Sequence, residues 1–330
     1  MRRLHLERYI MELVLVVLFF VFAFTAPGFL SVRNVLNVMR NVALQGIIAF
    51  SMTAVIISGE IDLSVGSAVA FAGVVVAWLV QAFAGAGMAL GLAVPLAAVL
   101  TLMLSSFVGW TIAYMRNAFG VPTFITSLAY LTVLSGFANL ITDGFPITAF
   151  PQWYNFLGGG DILGVPVPAL FLIVVFVVFS FLMSQTSFGR SVYAVGGNAE
   201  AARLNGINVK KIKYVLFAAT GGLAGLTGIL VSSQIMAGTP TVARGWELQI
   251  ISAVIIGGAS LAGGAGKIRG TLVGIFFLGI IINGMTLLNI SQYWQLVVRG
   301  ALILAAILVN SLRLRTGRPG GRRKSVGAAA

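Results

Sequence analysis

Two acidic residues lie in a short segment, residues 58–67, between two long apolar runs of this chain. A charge close to the core of a membrane is costly, so such a carboxylate usually faces a cavity, pairs with a base or caps a helix. Asp62 or Ser64 suits the start of the following helix, where an oxygen accepts hydrogen bonds from the first amides. Alternatively, Glu60, Asp62 and Ser64 line or gate a passage. The residues alone leave both interpretations open.

A second polar segment, residues 187–209, separates two later apolar runs. Within it Asn198 is a suitable helix N-cap, Glu200 falls in the first turn, and Gly206 supplies a stop. A helix of about two turns is not stable alone. It must therefore dock, either in the groove of a partner protein or against helix ends of this chain.

The glycine-rich residues 257–267 resemble a phosphate-binding loop only superficially. A P-loop requires Gly five residues before Gly266 and Ser or Thr after the lysine, whereas Leu261 and Ile268 stand at these positions. The sequence predicts a tight turn or a broken helix here. Any ATPase that drives this protein must then be another chain.

Enzyme chemistry has few candidate residues in this chain. It contains no cysteine, and its single histidine is His5 in the charged N-terminal segment. Neither a metal cluster nor a nucleophile–base pair can be assembled from eight acids and one terminal histidine. We predict no metal site, no bound cofactor and no enzymatic activity.

The elements that must position these segments are membrane helices. The chain is 59% hydrophobic and 9% charged, with a mean hydropathy of +1.02, well outside the balance of a soluble domain. The sequence predicts an all-α, polytopic transmembrane bundle. Apolar runs long enough to cross a bilayer, about 20 residues each, lie near residues 9–26, 41–58, 65–84, 88–113, 121–142, 166–184, 213–236, 248–262, 270–288 and 293–311.

The basic residues predict the orientation of these ten runs. With a cytoplasmic N-terminus, only Arg33, Arg40 and Arg244 fall on the opposite side, a strong positive-inside bias that places both termini in the cytoplasm. The basic residues stand in short segments between apolar runs, which indicates a membrane surface rather than nucleic acid as partner. Residues 1–312 are predicted to form the membrane domain, and the basic residues 313–330 are predicted to be disordered. The cytoplasmic set comprises Arg2, Arg3, Arg8, Arg116, Arg190, Arg203, Lys210, Lys211, Lys213, Lys267, Arg269, Arg313, Arg315, Arg318, Arg322, Arg323 and Lys324.

A weak internal repeat is visible in the sequence. Residues 54–59, AVIISG, are matched by residues 253–258, AVIIGG, and each copy precedes a glycine-rich break and another apolar run. Internal repeats are common in transporters. The pattern indicates a duplication without fixing its symmetry.

In these segments the chain resembles the permease subunits of bacterial ABC importers for ribose, xylose, arabinose and related monosaccharides, with the ribose permease as the most similar. The resemblance covers residues 27–310 and is most specific at residues 59–67, 187–209, 253–274 and 283–285. It implies an inner-membrane permease paired with a second copy or a paralogue. The implied partners are a cytoplasmic ATPase subunit, which binds ATP and Mg, a periplasmic sugar-binding protein and the surrounding lipid.

The resemblance also assigns a role to residues 187–209, which match the family's coupling loop for the ATPase. Two positions depart from the family pattern, since Glu60 stands where ribose-type permeases usually have Gly, and Gln249 where the family often has Asp. The extra carboxylate puts an assignment to ribose in doubt. The implied coupling residues are Gly189, Arg190, Gly196, Gly197, Asn198, Glu200, Ala202, Arg203 and Gly206.

The resemblance implies import of a monosaccharide by alternating access. Sugars are neutral and polyhydroxylated, so the passage needs hydroxyl, amide and aromatic groups rather than fixed charge. An ion-coupled secondary transporter that uses Glu60 and Asp62 is the alternative. The candidate passage or gate residues are Glu60, Asp62, Ser64, Phe124, Thr126, Ser127, Asn139, Glu247 and Asn283.

Overall fold

The protein is a bundle of helices, as predicted. A computed structural model describes residues 10–316. The described residues do not include His5, the basic residues 2–8 or residues 317–330 of the predicted tail. Residues 313–316, which were predicted to be disordered, continue the last helix. The helices are α1 Ile10–Thr25, α2 Val32–Ile57, α3 Val65–Gly85, α4 Leu90–Phe119, α5 Thr123–Thr142, α6 Asn155–Gly159, α7 Val167–Gln185, α8 Ser187–Gly197, α9 Ala199–Leu204, α10 Val209–Ile235, α11 Trp246–Ile256, α12 Ile268–Leu287 and α13 Gln292–Thr316.

Seven of the described helices are long and apolar enough to cross a membrane, namely α2, α3, α4, α5, α7, α10 and α12. Helices α1 and α11 are apolar but shorter. The transmembrane helical class is confirmed. The count of ten crossings and the orientation of the termini stay predictions.

Helix α11 is shorter than the predicted run 248–262. It has 11 residues and ends at Ile256, because Gly258 adopts a left-handed conformation with φ of +89° that a helix cannot continue. Gly263 and Gly264 also have positive φ, and residues 257–267 form a non-helical loop before α12. The broken helix predicted from the glycines is therefore present.

The repeated segments end in the same backbone turn. The amides of Gly59 and Gly258 bond to the carbonyls three residues earlier at 2.9 and 2.8 Å. The next amide in each copy bonds to the carbonyl five residues earlier, at 3.2 and 3.1 Å. This is the bonding pattern of a glycine-terminated helix end. The sequence repeat is therefore also a structural repeat of the α2 and α11 ends.

Helix α10 packs closely on α3 and α4 because glycines line the contacts. A Cβ added to Gly109 of α4 would lie 3.1 Å from the Cα of Gly221. A Cβ on Gly228 would lie 2.5 Å from the carbonyl oxygen of Val69 in α3. Small residues allow helix backbones to approach in this way inside a membrane. Helix α2 is the other central element, buried from Val42 to Ile57 except at Gln45.

The connection between α5 and α7 consists of short elements that pack against α10. It contains a 3₁₀ turn at Gln152–Tyr154, α6, and a two-stranded hairpin of β1 Asp161–Ile162 and β2 Val165–Pro166. The Tyr154 side chain is fully buried, and its hydroxyl bonds to the carbonyl of Ile229 at 3.0 Å. The α5–α7 connection is therefore packed on the bundle rather than detached from it.

Candidate functional site

Three segments of the chain meet through glycines at one end of the bundle. We call it the basic end because it carries Arg116, Arg190, Arg203 and Lys213. The Gly264 amide donates to the Ile57 carbonyl at 2.8 Å. A Cβ on Gly196 of α8 would lie 2.6 Å from the Gly264 amide, and one on Gly263 would lie 3.0 Å from the Cα of Gly59. The backbones of the α2 end, α8 and residues 257–267 are thus in direct contact. These five residues form the glycine junction.

Helix α8 is fixed at both of its ends. The Thr186 hydroxyl accepts from the Gly189 amide at 3.2 Å, which caps the helix. The Tyr193 hydroxyl donates to the Gly266 carbonyl at 2.9 Å, and burial raises the pKa of this phenol. A short amphipathic helix is thereby held on the bundle against the 257–267 loop.

Helix α9 forms where the sequence predicts it. The Asn198 side chain accepts from the amides of Glu200 and Ala201 at 3.1 and 3.0 Å, the bonds of an N-cap. Arg203 pairs with Glu200 at 2.6 Å, and its hydrogen bonds lower the pKa of the exposed Glu200 carboxyl. The helix ends before Gly206, whose φ is +82°.

The predicted coupling residues divide into two groups in the structure. Arg190, Gly197, Asn198, Glu200, Arg203 and Gly206 are exposed. Gly189 and Ala202 are buried, and Gly196 is half-buried in the glycine junction. Helix α9 therefore rests on this chain through Ala202 and leaves its other face, including Leu204, open.

Glu60 lies at the centre of an ion-pair cluster. It is 8% exposed, and its Oε1 accepts from Lys213 Nζ and, at 3.1 Å, from Arg116 Nε. Its Oε2 accepts from the Thr123 hydroxyl at 2.6 Å. These side chains come from the starts of α5 and α10 and the end of α4, so Glu60 joins three helices to the α2–α3 break, residues 58–64.

The partners of Glu60 were not among the predicted site residues. Lys213 and Arg116 counted only as basic residues that set orientation, and Thr123 was not singled out. Each lies 56 or more positions from Glu60 along the chain. The signal that could have identified Lys213 is its place inside an apolar helix, four residues after the predicted coupling segment, residues 187–209.

Asp62 does not cap the helix in the way the sequence suggested. It is 2% exposed, and its Oδ1 accepts from the Ser64 amide at 2.8 Å and the Ser64 hydroxyl at 2.6 Å. The Ser64 side chain makes no cap bond to α3, because its backbone is helical, with φ of −84° and ψ of −10°, rather than extended as in a capping residue. The predicted side-chain cap by Ser64 is therefore wrong, and Asp62 shapes the turn that precedes the helix.

Asp62 and Ser64 also line a narrow hollow of about 10 Å³ among α3, α4, α5 and α10, room for a single water molecule. Its other walls include Ser105 and Thr220 together with the glycines where α4 meets α10. The two carboxylates of the break thus differ in surroundings, since Glu60 is neutralised by two cations and Asp62 faces small and hydroxyl-bearing residues.

The backbone of the break is satisfied by α5. The Ser127 hydroxyl accepts from the Leu63 amide at 2.9 Å, and the Thr123 hydroxyl accepts from the Ile61 amide at 3.4 Å. Non-helical backbone is tolerated at membrane depth only when its polar groups find protein or water partners. The i, i+4 spacing of Thr123 and Ser127 on one face of α5 provides these partners.

The predicted passage residues of α5 point in different directions. Thr126 and Ser127 are buried, at 7% and 0% exposure, and therefore face the bundle interior. Asn139 is half-buried and donates to the Ser135 carbonyl at 2.7 Å. Phe124 is 51% exposed and is the member of this set that lies on the outer face of the described chain.

Glu247 and Asn283 lie away from Glu60. The Glu247 carboxyl packs against Gly66, where a Cβ would lie 3.5 Å from Glu247 Cδ, and it has no ion pair among the described residues. Asn283 of α12 exchanges two amide hydrogen bonds with Asn34 of α2, at 3.0 and 2.8 Å. Asn283 thus joins two helices.

Two further polar pairs connect α2 to its neighbours. Gln45 donates to Gln249 at 2.9 Å, so the departure from the family's Asp gives a neutral amide pair. The hydroxyls of Thr53 and Thr271 lie 2.6 Å apart. Such pairs contribute to helix association in lipid. Within residues 10–316, no three His, Cys, Asp or Glu side chains converge to hold a metal ion.

Comparisons with known proteins agree with this architecture. The family model described as "Branched-chain amino acid transport system / permease component" matches residues 34–307. A probable ABC transporter permease protein, YphD, of Escherichia coli is 42% identical over 93% of this chain and 90% of its own length. The ribose import permease protein RbsC of Bacillus subtilis is 39% identical, over 86% of each chain.

The L-arabinose ABC transporter permease protein AraH of Azospirillum brasilense is 38% identical over 91% of this chain and 86% of its own. The comparison with solved structures returned no significant match. The family match spans most of the chain, and the described helices include seven that can cross a membrane. The chain therefore belongs to the family of bacterial ABC-importer permeases that includes the ribose and arabinose permeases, and it is a multi-pass inner-membrane protein.

Proposed function

We propose that this chain is the membrane-spanning subunit of an ABC importer that moves a monosaccharide such as ribose into the cytoplasm by alternating access. The family membership and the names of the ribose and arabinose permeases support the substrate class. The observation that carries the proposal is helix α9, which is capped and exposed. It lies next to the glycine junction, which includes residues from the α2–α3 break and from the 257–267 loop.

Helix α9 has the properties of a coupling helix. Its Glu200–Arg203 pair and Leu204 face away from the bundle, while Ala202 anchors it on this chain. A short helix with one anchored and one open face fits a groove in a separate protein. In the proposed importer that protein is the cytoplasmic ATPase subunit, which binds ATP and Mg.

Charge distribution supports the topology of the proposed importer. The basic end carries Arg116, Arg190, Arg203 and Lys213, consistent with a cytoplasmic location. Ten crossings with both termini in the cytoplasm then place residues 143–166 on the periplasmic side, where a sugar-binding protein docks. A second copy or a paralogue of the permease forms the other wall of the passage, and lipid surrounds both.

The ion-coupled alternative is disfavoured by the environment of Glu60. Its carboxylate is occupied by Lys213, Arg116 and Thr123. A coupling site for sodium or protons needs a carboxylate that can release its partner and bind the ion. Of the two acids in the α2–α3 break, Asp62 alone has no basic partner among the described residues.

The proposed function is tested by uptake of labelled ribose, arabinose and xylose into proteoliposomes. These contain the permease with the ATPase subunit and the sugar-binding protein of the proposed importer. Gly197→Trp is the informative variant, because Gly197 is exposed and a Cβ there meets nothing within 4 Å. Gly85→Trp, at another open position at the end of α3, is the matched control.

We expect uptake that requires ATP, fails in Gly197→Trp and persists in Gly85→Trp. Uptake that ignores ATP but follows a proton or sodium gradient would contradict the ABC assignment. That result would favour Asp62 as the residue that couples uptake to the ion gradient.

A further inference from the structure

The Glu60 cluster connects the coupling segment to the interior of the bundle. We propose that Glu60 is a positioning residue that transmits movement of residues 187–209 to the α2–α3 break and to the start of α5. The inference rests on the proposed function, because it requires that residues 187–209 move with an ATPase. It gives a role to the acid that departs from the ribose-permease pattern.

Lys213 is the link on the coupling side. It lies four residues beyond the coupling segment, on the first turns of α10, and is 7% exposed. Its ammonium group pairs with Glu60. A buried charge that loses its only counter-ion strongly destabilises the folded protein. The start of α10 therefore cannot shift unless Glu60 follows it or the pair opens.

Arg116 and Thr123 are the links on the other side. Arg116 Nε lies 3.1 Å from Glu60 Oε1, and Arg116 Nη1 donates to the Gly120 carbonyl at 3.3 Å. Thr123, at the first position of α5, donates to Glu60 at 2.6 Å. One carboxylate thus holds two cations, and any displacement that frees it exposes the cations to mutual repulsion.

The α2–α3 break is suited to receive this movement. It has left the helical hydrogen-bond pattern, and it is held to α5 by two side-chain bonds, from the amides of Ile61 and Leu63. Asp62, two residues from Glu60, lines the hollow among α3, α4, α5 and α10. A shift of Glu60 therefore alters both the hollow and the start of α5, where the exposed Phe124 lies.

The test is the ratio of sugar imported to ATP hydrolysed by the full transporter in proteoliposomes. Glu60→Gln keeps the size and the Thr123 hydrogen bond but removes the charge, and Lys213→Met removes the cation. Lys211→Met is the matched control, since Lys211 is exposed two residues away and makes no side-chain contact with Glu60.

We expect Glu60→Gln and Lys213→Met each to lower the ratio by about tenfold, within the range of coupling between sites, while ATP hydrolysis persists. Lys211→Met should retain the wild-type ratio. The double variant should be no worse than either single variant, because the two residues act as a pair.

A different result is expected if the Glu60 cluster only stabilises the fold. Import and ATP hydrolysis would then fall together in proportion to the amount of folded protein, or neither would change, and either result would overturn the inference. If the charge variants do not reach the membrane, Thr123→Val decides, because it keeps both ion pairs. A normal ratio in that variant contradicts the inference and a lowered ratio supports it. A wild-type transporter without ATP-driven import would instead refute the proposed function itself.

Discussion

The amide of Gly264 donates a hydrogen bond of 2.8 Å to the carbonyl of Ile57, the last residue of α2. The carbonyls at the end of a helix lack partners within it, so this bond satisfies a buried group and joins α2 to residues 257–267. Gly196 of α8 lies against the same two groups. The end of α2, helix α8 and residues 257–267 are thereby parts of one packed unit.

Gly196→Ala tests this packing. A Cβ at this position would overlap the backbone of Ile57 and Gly264, and overpacking of this kind destabilises a protein by about 1–3 kcal/mol. We expect a lower unfolding temperature in detergent and reduced ATP-linked uptake. The adjacent Gly197→Ala should leave the unfolding temperature unchanged because its Cβ meets open space. Equal effects of the two variants would contradict the close contact.

Glu60→Gly places the residue usual in ribose-type permeases in this chain. It leaves Lys213 buried without its counter-ion, and removal of one partner of a buried pair costs about 3–5 kcal/mol. Thermal unfolding of the purified permease should show a large loss of stability. The double variant Glu60→Gly with Lys213→Met should recover much of it. Without that recovery, the loss would come from the glycine backbone instead of the unpaired lysine.

Asp62→Ala removes the acceptor for both the amide and the hydroxyl of Ser64. An unpaired buried amide costs about 1–3 kcal/mol, so we expect a measurable drop in the unfolding temperature. Asp62→Asn keeps the acceptor oxygen and should lose less. Asp161→Ala, at an exposed strand position, is the control. Equal losses with Asn and Ala would show that the negative charge matters more than the acceptor oxygen.

Asn198→Ala removes the cap of α9. Loss of an N-cap costs about 1 kcal/mol, which is large for a six-residue helix. We expect weaker association with the ATPase subunit, measured by co-purification, and normal thermal stability of the permease alone. Asn198→Asp should retain association, since Asp caps equally well. Normal association of the Ala variant would indicate that α9 does not form the contact.

Asn34 and Asn283 should show coupled energetics. Each bonds to the other in the contact between α2 and α12, and such interhelical bonds contribute about 0.6–2 kcal/mol in membranes. A double-mutant cycle with Asn34→Ala and Asn283→Ala, followed by thermal unfolding in lipid, should give an interaction energy in this range. Strictly additive losses would mean that the amides do not pair in the membrane.

Local features of this chain could be read from its sequence because their physical causes are local. The apolar runs predict helices, since backbone groups in lipid must bond within their own segment. Asn198 and Gly206 fix α9 through the cap and the left-handed stop. The glycines after Ile256 predict the break, although its onset shortens α11 relative to the predicted run. The motif residues also sufficed to identify the permease family.

The partners of each polar side chain were decided by tertiary structure alone. The segment around Glu60 and Asp62 is equally compatible with a cap, a passage and an ion pair, because the choice depends on cations up to 153 positions away. The sequence does not show that Ser127, a candidate passage residue, accepts from the Leu63 amide. A helix that is apolar on all sides has no amphipathic pattern, so its sequence does not show which face meets lipid and which meets protein. Only the packing of α4, α5 and α10 around the break determines which carboxylate is neutralised and which faces the hollow.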